Sequence, residues 1–134
     1  MTSAGIPEDR LYSDDHEWVA VQSTADIPTS PVRVGISRIA ADNLGDLVFI
    51  DLPAVDSDIT AERSCGEVES TKAVSDLVAP VSGTVTDVNT DAVEDPTLVS
   101  TDPYGAGWLI EVRVTALGPL MTAAEYAEKN GQSS

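Results

Sequence analysis

A mainly β fold is what this sequence predicts: a small flattened barrel or sandwich of two antiparallel sheets, with short helices and one helix at the C-terminus. Three observations carry that expectation. Short stretches with strand-like alternation recur every ten or so residues, with Gly, Pro, Asp or Asn between them. Aromatic residues make up only 4% of a chain that is 42% hydrophobic, so Val, Ile, Leu and Ala must fill most of the core. A length of 134 residues suits one domain able to bury a real core, with residues 1–10 and 131–134 as loose polar ends.

Each element has a local reason. "EWVAVQ" (17–22) sets Trp18 and Ala20 against Val19 and Val21 and reads as a strand. "STADIPTSP" (23–31) is a loop, because Pro28 and Pro31 cannot donate to a ladder. "VRVGI" (32–36) is the next strand. Ser37 is placed to N-cap a short helix, "RIAADNL", that stops at Gly45. "DLVFIDLP" (46–53) is strand-like and ends at Pro53, and "AVDSDITAERSCG" is a polar connection. "EVESTKAVSDLVAP" reads as two short strands with Thr71-Lys72 near the apex of their turn. "VSGTVTDVN" (81–89) is a strand, "DPTLVSTD" a helical turn opening at Asp95-Pro96, and "GWLIEVRVT" (107–115) the last strand. Thr122 with Glu125 three residues on is a capping box for the helix "TAAEYAEKNG", which stops at Gly131.

Twenty-three acids against seven bases give a formal net charge of −16. Such a surface repels phosphate backbones and anionic lipid, which argues against nucleic acid and membranes as partners and favours proteins with basic patches. No apolar run approaches the roughly 20 residues of a membrane span, and "MTSAGIPEDR" lacks the basic start and apolar middle of a signal peptide. Cys65 is the only cysteine, so no internal disulfide can form, and a reducing cytoplasm is the expected compartment.

The usual chemical constellations are missing. One His and one Cys, far apart, make a poor zinc site, and the acids form no EF-hand pattern. There is no phosphate-binding glycine loop of either common type and no G-x-S-x-G elbow, so a catalytic role is not expected. What stands out is Lys72, one of two lysines with Lys129. Strands leading to it and away from it make its amine project from a rigid platform. With so few lysines, a modifying enzyme meets almost no competing target. Acylation would also neutralise the amine, so the acidic surroundings would not hold it down by charge.

Around Lys72 the segment "GEVESTKAVSDLVAPVSGTVTDVN" (66–89) resembles the lipoyl-attachment region of the H proteins of the glycine cleavage system. "DDHEWV" (14–19), "VGIS" (34–37), "LGDLVFIDLP" (44–53) and "DPYGAGW" (102–108) resemble the same family in the same order, over roughly residues 10 to 130. The resemblance implies a lipoyl-domain-like hybrid fold and a non-enzymatic carrier. It implies lipoic acid as an amide on Lys72, with Glu69, Ser70 and Ala73 completing the attachment motif. The implied partners are a pyridoxal-phosphate glycine decarboxylase, a tetrahydrofolate-dependent aminomethyltransferase, a dihydrolipoyl dehydrogenase and the enzymes that attach lipoate. The arm would carry an aminomethyl group from the first to the second, and the third would reoxidise its dithiol. Glu17 and Asp76 are implied as the acids that dock the loaded arm in a surface cleft. Arg38-Ile39 and Asp15 depart from the family pattern at the cleft, and the loop at 23–31 is an insertion in the first hairpin. Two rival readings are a lipoyl domain of a 2-oxoacid dehydrogenase, against which stand "HEW", "DPYGAGW" and the lack of D-K-A, and an H-like protein relaying lipoate to other enzymes. A biotin carrier would favour Met on both sides of the lysine, where Thr71 and Ala73 stand.

Overall fold

The computed structural model describes residues 6–21 and 23–130. In chain order the elements are β1 (Leu11–Tyr12), β2 (Glu17–Val19), β3 (Val32–Ile36), α1 (Arg38–Leu44), β4 (Leu47–Asp51), β5 (Asp58–Ile59) and β6 (Ser64–Ser70). There follow β7 (Val74–Val78), β8 (Val81–Val88), α2 (Thr90–Glu94), α3 (Thr97–Thr101), β9 (Ile110–Leu117) and α4 (Ala123–Lys129). Two antiparallel sheets result, a six-stranded one in the order β1-β2-β3-β9-β8-β5 and a three-stranded one in the order β4-β6-β7. The arrangement is an open sandwich, and the sheets do not close into a barrel.

The main core is aliphatic, as the composition requires. Val34, Ile36, Leu47, Ile50, Val68, Leu77, Val85 and Val112 come from both sheets and meet between them. A second cluster gathers Ile6, Tyr12, Trp18, Ala123, Tyr126 and Ala127, with Tyr104 and Trp108 against it. Tyr12 and Tyr126 stack at 4.8 Å with ring planes 8° apart. β2 runs between the two clusters, which explains why its residues show no polar face: Trp18 enters one cluster and Val19 the other. Trp18 needs Gly35 opposite it, because a Cβ there would lie 2.7 Å from the indole ring.

The expected helices form as read. Ser37 Oγ accepts the Ala40 N–H at 3.2 Å, and Gly45 closes α1 at φ 79°, a conformation that favours glycine. Thr122 and Glu125 make the full capping box of α4, worth on the order of 1 kcal/mol for the cap. The last residue before the C-terminal tail is the C-cap Asn130, and Gly131 lies outside the described residues.

Several expectations need correction. The strand expected at 17–22 ends at Val19, and Gln22 lies outside the described residues. The connection at 54–66 is not wholly irregular: it holds β5 and the start of β6. β9 starts at Ile110 rather than 107 and runs on to Leu117. β1 and α2 were not anticipated. Nor is the lead-in loose throughout, since Ile6 is buried in the second cluster; residues 1–5 and 131–134 lie outside the described residues. β1 and β5 are only two residues long and form because neighbouring strands offer edges to pair with.

Candidate functional site

The β6–β7 hairpin carries Lys72 at its tip. Pairing ends at Glu69 opposite Val74, leaving Thr71–Ala73 as the apex. Ser70 stitches this turn: its N–H donates to the Ala73 carbonyl at 2.8 Å, and its hydroxyl accepts the N–H groups of Ala73 (3.0 Å) and Lys72 (3.3 Å). The Ser70 hydroxyl also donates to the Ala73 carbonyl at 3.2 Å. The Thr71 N–H donates to the Asp46 carbonyl at 3.1 Å, tying the apex to the corner between α1 and β4. Lys72 is exposed, and its stem runs over that corner: a Cβ on Gly45 would sit 3.5 Å from Lys72 Cε and 3.9 Å from Nζ. Among the described residues Lys72 takes part in none of the three ion pairs, whereas Lys129 is paired with Asp14 at 2.5 Å.

Beside the tip lies a cleft of about 140 Å³ between the two sheets. One wall is α1, through Ala40, Asn43 and Leu44; the other is β7, through Ser75, Asp76 and Leu77. Ile36 and Val68 add apolar surface, and Asp15, His16 and Glu17 complete the lining. Leu44 directly precedes the glycine under the Lys72 stem, so lysine and cleft share a border.

The structure brings Glu17 and Asp76 to this one cleft and gives them different characters. Glu17 is 1% exposed; it accepts the Ser13 hydroxyl at 2.7 Å and the Val78 N–H at 3.3 Å, so it ties β2 to β7 across the sheets. Burial, with some help from the neighbouring Asp15 charge, pushes its carboxyl up to about 8, against the hydrogen bonds that favour the charged form. Two accepted bonds leave lone pairs free on a carboxylate. Asp76 is exposed on the edge strand β7, where it borders the cleft and also pairs across the ladder with Glu67.

Sequence reading assigned no part in the cleft to three further contributors, though it noted Asp15 as a departure there. Asp15 lines the cleft as a third carboxylate, and its place beside "HEW" was the available signal. Ser75 faces in beside Val68, its cross-strand partner. His16 adopts φ 70°, with Nδ1 2.5 Å from the Tyr126 hydroxyl, which in turn lies 2.7 Å from Ser37 Oγ. Burial keeps the proton on Tyr126 and lowers His16, so a neutral phenol and a neutral imidazole share this hydrogen bond. One hydroxyl thus holds both the cleft histidine and the N-cap of α1. The unusual Arg38-Ile39 pair does not line the cleft: Arg38 donates to the carbonyls of Ser100 (2.7 Å) and Thr101 (3.2 Å), and Ile39 packs on the second cluster. Among the described residues there is no His, Cys or carboxylate group suited to a metal, and no helix long and apolar enough to cross a membrane.

Fold and site together define a small two-sheet β domain that presents an exposed lysine at a stitched hairpin apex, next to an acidic cleft. The comparisons with known proteins narrow this. Residues 10–132 match the family model described as glycine cleavage H-protein. A glycine cleavage system H protein of Corynebacterium aurimucosum is 53% identical over 129 residues, covering 96% of this chain and 98% of that one. One from Mycobacterium avium is 54% identical over 118 residues, 88% of this chain and 86% of its own. The crystal structure of a glycine cleavage system H protein from Mycobacterium marinum superposes with a TM-score of 0.92 at 58% identity, covering 94% of this chain and 99% of that one. The chain belongs to the glycine cleavage H-protein family.

Proposed function

We propose that this chain is the lipoyl carrier of a glycine cleavage system, one domain with lipoate held as an amide on Lys72. The observation that carries this reading is the apex itself: an exposed lysine on a turn stitched by Ser70, over Gly45 and beside a cleft. The cleft suits such an arm, since it sets apolar Ile36, Leu44, Val68 and Leu77 against the three carboxylates. Bound there, lipoate supplies the dithiol chemistry that accepts and releases an aminomethyl group. The chain's own residues position and protect. Lys72 provides a tether on the order of 10 Å long with its acyl chain, at about 1.5 Å per bond before projection, and tethering keeps the cargo at high effective concentration near each partner. Asp15, Glu17 and Asp76 hold a cationic amine at the arm's end and have no such grip on an uncharged one, which is the differential contact that docking requires. Cys65 takes no part: burial pushes its thiol up to about 12, so it stays protonated and unreactive.

The partners in this reading are a pyridoxal-phosphate glycine decarboxylase, a tetrahydrofolate-dependent aminomethyltransferase, a dihydrolipoyl dehydrogenase and a lipoate-attaching enzyme, all in the cytoplasm. Lys72→Arg keeps the charge and cannot form the amide. Protein isolated from a lipoate-replete cell should therefore lose the whole lipoyl mass increment in this variant and keep its fold. Lipoate mapped to Lys129 would overturn the reading.

A further inference from the structure

The chain has six aromatic residues, three Tyr, two Trp and one Phe. Five of them pack in the second cluster, and the sixth, Phe49, is 50% exposed on the outer face of the three-stranded sheet. The bulge between Leu47 and Phe49 leaves Val48 exposed as well, and Val74 is 60% exposed. Phe49, Glu69 and Val74 form one cross-strand row. The next row is Asp51, Glu67 and Asp76, three carboxylates side by side. Like charges opposite each other weaken a sheet, and a half-exposed Phe gives up about half of its burial energy. Neither row helps the isolated fold. Both rows suit a surface that a partner covers, with an apolar patch at the centre and charge around it.

We propose that this face is the seat of the enzyme that acylates Lys72, whose matching surface is an apolar hollow flanked by Lys and Arg. The inference rests on the reading of Lys72 as the attachment site. Its choice of partner comes from reach. Val74 lies two residues from Lys72 and pairs with Glu69 in the last rung below the apex, so an enzyme that bonds to Nζ works directly beside this row. Enzymes that act on the far end of the finished arm work on the order of 10 Å away and need not touch it. In the acylation, Nζ forms a bond to the carbonyl carbon of an activated acyl donor, the bond from that carbon to its phosphate or thiol leaving group breaks, and the amine loses a proton.

The test uses the full chain, a purified lipoate-attaching enzyme and an activated acyl donor, with acylation followed against carrier concentration. Phe49→Ala should raise KM about tenfold or more with kcat nearly kept, as truncation of an interface anchor does, and Phe49→Leu should recover much of the loss. Glu67→Gln should raise KM less, and only at low salt. Labelling of Lys72 by a small reactive ester should be the same in all variants, showing that lysine exposure is unchanged. Phe49→Ala protein driven to full lipoylation by excess enzyme should be reoxidised by dihydrolipoyl dehydrogenase at the wild-type rate. A wild-type KM in Phe49→Ala would overturn the proposal, and so would an equal loss in reoxidation, which would make the face a general contact. Acylation persisting in Lys72→Arg would instead defeat the attachment-site reading.

Discussion

At Glu17 one carboxyl group serves two purposes, joining β2 to β7 and facing the cleft. Its ordinary value of 4.5 rises to about 8 in the fold. Between those two values the folded protein holds a proton that the unfolded chain has released. Stability from this group is therefore complete below 4.5 and is lost as pH rises through 8. Glu17→Gln should flatten that slope in denaturant melts run across the window and keep most of the stability at the acidic end, because the amide oxygen can accept the Val78 N–H as the protonated acid does. A slope unchanged in the variant would place the titration elsewhere. For docking the sign is opposite: a cationic arm displaces the proton, so retention of the amine should strengthen as pH rises towards 8. Sequence resemblance pointed to Glu17 as a cleft acid. Its burial and raised affinity for a proton could not be seen there, because they come from desolvation between the two sheets, which outweighs the hydrogen bonds from Ser13 and Val78.

The hairpin shows the same division among elements. Alternation on either side of Thr71-Lys72 was enough to place the turn, because strand and turn preferences are local. The role of Ser70 was not legible: as a motif residue it marks the site, and in the fold its hydroxyl accepts two N–H groups of the apex. Ser70→Ala should keep the sheet and loosen the tip. We expect amide exchange at Lys72 and Ala73 to quicken roughly fivefold, in line with about 1 kcal/mol per lost hydrogen bond, and enzymatic acylation to slow. Wild-type exchange rates would mean that the Ser70 N–H to Ala73 carbonyl bond suffices. α1 and the start of α4 were readable to the residue because their caps are written in adjacent side chains, Ser37 with Gly45 and Thr122 with Glu125. The two-residue β1 and β5 carry no such mark and exist because β2 and β8 offer edges to pair with.

Over the whole molecule the charge of −16 is the dominant long-range feature. Exposed charges are screened beyond about 8 Å at physiological salt, and acidic surfaces speed encounter with basic partners. The association rate with the glycine decarboxylase should therefore fall steadily as ionic strength rises from low to moderate values, with dissociation changing less. A flat stopped-flow salt profile would assign the acidity to solubility. Composition, local alternation and capping residues were sufficient to determine a mainly β chain with an aliphatic core, its principal helices and a lone lysine at a turn, since each depends on neighbours within a few positions. The tertiary structure decided which acids share the cleft, that Arg38 turns away from it, that Tyr126 holds His16, and that Phe49 is left in water. Those outcomes depend on which sheet each strand joins and in what register, and that choice is made by contacts between segments tens of residues apart, which no short stretch of sequence contains.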